Sequence, residues 1–248
     1  MPCRIWPVRA LGHGGLAVAI ARRGYAAAEL LGDPGLTAFA AMQRAGALIR
    51  IGARHRAATV LGDALVAVEP TADPTAADTR PAQAAGMLHL ASAQLASREG
   101  RAGDADTHLE QAAELAQRTG ECNDLNFHFG SANVTAWSVS IAVELQRGPV
   151  AAERTALDTP RLAGVLGSAD RRAGLHLDLA RGWAQAEGAR DAEAIRHLDA
   201  ADRIAPQRIR NDPIARDLVL VLDRRAPRQV WELDSLRNRF GIGQVQIG

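Results

Sequence analysis

The sequence contains no lysine: all 29 of its basic residues are arginine. Without lysine the chain cannot form the internal Schiff base that holds pyridoxal phosphate. A phosphate-binding loop ending in Gly-Lys-Ser/Thr is excluded for the same reason. Cysteine is scarce as well. Cys3 and Cys122 stand far apart, without the paired spacing of zinc or redox motifs, and read as reduced structural thiols. Long apolar runs are missing: "LVLVL" at 218–222 falls far short of the roughly 20 residues that span a bilayer, so no transmembrane segment is expected. The start, "MPCRIWPVRALGHGG", places a proline, charges and glycines where a signal peptide needs a continuous apolar stretch. A cytoplasmic location is the expectation. Neither sign of charge is in excess. The formal net charge of +1 supplies no bulk attraction to nucleic acid or membranes.

What is present suits helices. Over 248 residues, 47% are hydrophobic, enough for one large core or two small ones. Few stretches alternate with period two, while small and aliphatic residues recur at spacings of three and four. The sequence therefore predicts an all-α fold. Punctuation divides it: Asp33-Pro34 as N-cap and first-turn proline, Pro70 and Pro206 as stops, Gly120 after "ELAQRT", and Ser168 as the cap of "ADRRAG".

Three segments share one pattern: "GARHRAATVLGDALVAVEP" (52–70), "GRAGDADTHLEQAAELA" (100–116) and "GARDAEAIRHLDAADRIAP" (188–206). After an opening glycine each carries alanine, leucine four later, and alanine three after that. The sets are Ala57, Leu61, Ala64; Ala105, Leu109, Ala112; and Ala194, Leu198, Ala201. Small residues at the first and third positions let a second helix lie close while leucine fills the groove. This resembles the second helix of a tetratricopeptide repeat. The preceding "LDLARGWAQAEG" agrees, whereas Arg44 departs from an apolar position in the first repeat. The spacings depart too: 48, 46 and 43 residues, with Ala151 as the third member, against about 34 in the standard repeat. Long connections follow, of which "PTADPTAADTRP" (70–81) is read as an ordered surface crossing. The expected organisation is an irregular N-terminus over 1–15 and one tetratricopeptide-like solenoid domain of antiparallel helix pairs over 16–248. "NDPIARDLVLVLDRRAP" and "RQVWELDSLRNRFGI" close it as capping helices.

In the third repeat, "ECNDLNFHFGSANVTAWSVSIAVELQRG" occupies the place of a first helix. With the following repeat it resembles the tetratricopeptide-type C-terminal region of bacterial XRE-class transcription regulators. There Asn-Asp and then Phe-Gly-x-x-Asn-Val open a helix at this place; here these are Asn123, Asp124, Phe129, Gly130, Asn133 and Val134. The resemblance implies a ligand sensor or a dimerisation module attached to a DNA-binding helix-turn-helix. Only about fifteen residues precede the first recognisable helix, too few for such a reader. The chain itself is therefore not expected to contact DNA.

In a helical repeat stack the first helices line the concave side. Counting along the register gives Gln43, Gly46 and Arg50; Ala91, Gln94 and Arg98; Trp137, Ser140 and Glu144; and Asp178, Arg181 and Gln185. The candidate ligand-binding set is Trp137, Asn133, His128, Arg98, Gln94, Ser140, Glu144, Asp178 and Arg181, suited to a polar small molecule or a peptide. Each is also what a solvated helix face carries. Gly130 is read as ending a short helix with positive φ, Ser131 as capping the next, and Phe127 or Phe129 as stapling the junction. No histidine spacing or motif points to a metal, a cofactor or a catalytic residue, so none is expected. The functional expectation is a ligand- or peptide-binding sensor, with a partner protein or homodimer as its protein contacts. The alternatives are an interaction scaffold holding a partner protein, or a repeat scaffold recruited as a biosynthetic enzyme.

Overall fold

Asp33 starts the first well-capped helix: its carboxylate accepts a hydrogen bond from the Leu36 amide at 2.9 Å, and Pro34 sits in the first turn. The computed structural model describes residues 14–226 and 230–243, and within them the chain is all-helical with no strand. Thirteen α-helices follow in order: α1 (Gly14–Leu31), α2 (Pro34–Arg50), α3 (Arg54–Val68), α4 (Arg80–Arg98), α5 (Ala102–Thr119), α6 (Ser131–Glu144), α7 (Gly148–Ala156), α8 (Thr159–Val165), α9 (Ala169–Ala184), α10 (Asp191–Ile204), α11 (Pro206–Arg210), α12 (Pro213–Arg225) and α13 (Trp231–Arg239). The irregular segment expected over 1–15 lies outside the described residues up to residue 13, and Gly14 and Gly15 already belong to α1. The chain divides into two compact units, Met1–Leu145 and Gln146–Gly248.

The opening glycines of the three aligned segments are helix terminators. Gly52, Gly100 and Gly188 hold φ of 80°, 73° and 99°, a region that costs other residues strain. At the end of α2 the Ala53 amide reaches Leu48 O at 3.0 Å and Gly52 reaches Ile49 O at 3.1 Å. At the end of α4 Arg101 reaches Ala96 O at 2.9 Å and Gly100 reaches Ser97 O at 3.1 Å. Both are Schellman closures, which turn the chain back within three residues. The products are helical hairpins α2/α3 and α4/α5; α9/α10 is a third with a longer turn. Ala57, Ala105 and Ala194 are each fully buried, so a larger side chain there would force the paired helices apart.

In unit 1 the crossing from α3 to α4 is tied down by its own polar groups. Asp73 accepts from the Thr75 amide at 2.8 Å, and Arg80 bridges Asp78 and Asp33. In unit 2, α7 lies backbone to backbone on α9: a Cβ on Gly182 would stand 2.9 Å from the Gly148 carbonyl oxygen. Gln185 Oε1 accepts from the Gly148 amide at 3.0 Å across the same contact. The two expected closing helices are α12 and α13. Fully buried Asp202 of α10 receives a two-pronged bond from Arg210, at 2.6 and 3.1 Å, and another from Arg239 of α13.

Candidate functional site

The segment from Glu121 to Val134 is where α5 hands over to α6. Gly120 ends α5 at φ 73°, and the Cys122 amide then bonds Phe129 O at 2.7 Å in an isolated antiparallel bridge. Between them Asn126 and His128 take left-handed φ of 56° and 51°, and Asn123 Oδ1 accepts from the His128 amide at 2.9 Å. The loop is anchored by its two phenylalanines. Phe127 meets Phe39 of α2 edge-on, centroids 5.9 Å apart, and Phe129 is buried over Gly86 of α4.

Gly130 differs from the sequence expectation. Its φ of 162° is extended, and it stands immediately before α6 instead of ending a helix. Glycine is required there by space: a Cβ would stand 2.8 Å from Glu121 Cα. Ser131 does not cap. The Glu121 carboxylate accepts from the Ala132 amide at 2.8 Å, placing a negative charge at the N-terminus of α6.

Asn133, grouped by sequence with the ligand-binding residues, is fully buried. Its Nδ2 donates to Phe127 O at 3.2 Å and lies 3.8 Å from Met87 Sδ. Its amide thus ties the loop to α4 from inside the core. His128 is half-buried in that loop.

Four of the predicted residues come together between α4 and α6. Gln94 Nε2 donates to Ser140 Oγ at 3.4 Å, and one turn further Arg98 Nε lies 3.6 Å from Glu144 Oε1. Met87 with Asn133, Gln94 with Ser140 and Arg98 with Glu144 are all 46 residues apart. A constant offset means that α4 and α6 run parallel and in register, which is how equivalent helices of successive repeats meet. Trp137 stands on the same helix, half-buried, packed against the main core of unit 1 and against Ala93, Ala96, Ala105 and Ile141. The row offers an amide, a hydroxyl and a guanidinium–carboxylate pair beside an indole: groups that bind polar ligands by hydrogen bonds and stacking.

Asp178 and Arg181 lie in unit 2, on α9, paired at 3.0 Å. Burial pushes the Asp178 carboxyl up, against the opposing pull of Arg181, Arg171 and Arg208. Burial, reinforced by Arg208, brings the Arg171 guanidinium down to about 10. Arg208 in turn donates to the Asp170 carbonyl oxygen.

Sequence reading singled out neither of two histidine pairs. His89 of α4 and His108 of α5 approach with Nδ1 atoms 2.9 Å apart, and His176 of α9 and His197 of α10 with theirs 3.0 Å apart. In each pair the rings tilt by 45° and 35° with centroids 5.2 Å apart. Spacings of 19 and 21 residues match no local metal or catalytic motif, so the pairs are invisible along the chain. Alignment of the repeats holds the signal: His108 and His197 each follow the aligned alanine by three, and His89 and His176 each precede the first groove position by two.

No helix among the described residues is long and apolar enough to cross a membrane. No family model, curated protein or solved structure matches this chain.

Proposed function

We propose that the chain is a tetratricopeptide-like sensor module, related to the repeat region of XRE-class regulators, that binds a polar small molecule or a peptide along its first helices. The observation that carries this reading is the constant 46-residue offset across α4 and α6, which sets Gln94, Arg98, Ser140 and Glu144 in one row beside Trp137. Arginine forks suit carboxylates, phosphates and peptide termini, and the indole supplies a stacking face. On α2 the position aligned with Trp137 is the buried Gln43, 4% exposed, so the row's polar character is carried by α4 and α6.

The test is native mass spectrometry of protein from its own host for a retained molecule, followed by titration of that molecule against wild type, Arg98→Gln and Ser140→Ala. Weakened binding with unchanged circular dichroism is expected, together with a change in tryptophan emission that is lost in Trp137→Phe. Equal affinity in all variants would sink the reading.

A further inference from the structure

The face of α9 that carries Asp178 and Arg181 differs in character from the aligned faces before it. Four positions ahead of Asp178 stands Gly174, where α2, α4 and α6 carry Phe39, Met87 and Asn133. Seven ahead stands Arg171, in place of Leu36, Ala84 and Gly130. The space that Gly174 leaves is taken by a guanidinium. A Cβ built there would stand 3.3 and 3.4 Å from the two terminal nitrogens of Arg208, which reaches over from α11 and donates to the Asp170 carbonyl oxygen one turn earlier. Arg208 thereby comes close enough to Arg171 for the two cations to repel, while Asp178, bonded to Arg181 at 3.0 Å, attracts both. All four side chains belong to half-buried residues, where water screens charge poorly but still has access.

Close packing would be served by an aliphatic residue at 171 and a long apolar one at 174, as α2 and α4 have at the aligned places. Two guanidiniums held side by side repel each other, and an oxyanion between them replaces that repulsion with two attractions. We propose that Arg171 and Arg208 together bind the phosphate group of a ligand. A carboxylate has two oxygens and is filled by one arginine fork. A phosphate group has three terminal oxygens and close to two charges at neutral pH, enough for two forks at once. Asp178, further along the same face, repels the ligand's oxygens and confines the site to the end of α9 that Arg208 covers. Binding is non-covalent. The site uses residues of unit 2 alone and does not rest on the reading of the α4/α6 row.

The experiment is calorimetric titration of the full-length protein with inorganic phosphate at neutral pH and constant ionic strength, beside parallel titrations with acetate and with the monoester O-phosphoserine. Saturable binding of phosphate is expected, with acetate about tenfold weaker or worse. Arg171→Gln and Arg208→Gln should each weaken phosphate about ten- to a hundredfold. Gly174→Met, which copies Met87, removes no charge but fills the space of the Arg208 guanidinium, and should weaken it likewise while circular dichroism shows the helices intact. Arg196→Gln, at an exposed arginine paired with Glu193, and Arg98→Gln in unit 1 should change nothing. Tighter binding of the monoester assigns the phosphate to an organic ligand, and affinity no better than that of inorganic phosphate assigns the site to the ion itself. Phosphate affinity unchanged in folded Arg171→Gln and Arg208→Gln protein overturns the proposal. So does an equal loss in either control, which would mark bulk charge, or acetate binding as tightly as phosphate.

Discussion

The ring of Phe129 abuts Gly86 so closely that a Cβ on Gly86 would stand 2.0 Å from the ring's Cζ. Phe129 is 1% exposed and has no free direction in which to retreat. Gly86→Ala should therefore destabilise by about 1–3 kcal/mol through overpacking, although alanine is the better helix former. Gly62 is the internal control: it is exposed, helical, and has no atom within 4 Å of a built Cβ. Gly62→Ala should stabilise by about 0.5–1 kcal/mol. Urea midpoints of the two variants moving in the same direction would contradict this account.

Ala105 and Ala194 face their partner helices with no exposed surface. Replacing either with leucine should cost about 1–3 kcal/mol. Because they lie in different compact units, the two effects should add. Unchanged unfolding midpoints would show the aligned register to be wrong.

The histidine pairs predict a pH dependence of stability. All four imidazoles are held below their ordinary value, by burial first and, for His89 and His197, by the neighbouring ring. The unfolded chain therefore binds more protons than the folded one below its histidine value of about 6.5 and down to the folded value of about 4 that His89 and His197 reach. Stability contributed by the neutral pairs is complete above about 6.5 and declines as pH falls towards 4. His89→Ala with His108→Val, the pair that α2/α3 carries, should flatten this slope in urea titrations taken at several pH values. A slope equal to wild type would place the acid sensitivity elsewhere.

Asp202 is fully buried and answered by two arginines from two other helices. Asp202→Asn leaves Arg210 and Arg239 facing a neutral group and should cost about 3–5 kcal/mol. Hydrogen exchange should localise the loosening to α13, which Arg239 ties to α10 through Asp202 and Asp199. Uniform loosening of unit 2 would assign the ion pairs a different role.

Helices and their ends were legible along the chain because their causes are local. Asp33 and Ser168 cap where the sequence puts them, and glycines stand where the helices reverse. The aligned alanines were legible too, since a repeat displays its packing positions several times. Gly130 was misread because its need is for space beside Glu121, a residue nine positions away, and not for a left-handed backbone. Asn133 carries the polarity of a binding residue, and only the coordinates show its amide spent on the Phe127 carbonyl. Gln94 with Ser140 and Arg98 with Glu144 were named singly as groove residues, without their pairing, which depends on how α4 and α6 lie together.

That parallel pairing of α4 and α6 makes the row a matter of phase. Each residue of an α-helix advances the face by about 100°. One residue inserted in α6 between Asn133 and Ser140 would leave the loop anchor in place and swing Ser140 and Glu144 away from Gln94 and Arg98 together. The same insertion between Asn123 and Asn126, in the loop, would leave the helix phase untouched. Length variation in this protein is thus tolerable at its joints and ruinous inside its sixth helix, where a single added codon would dismantle both polar contacts at once.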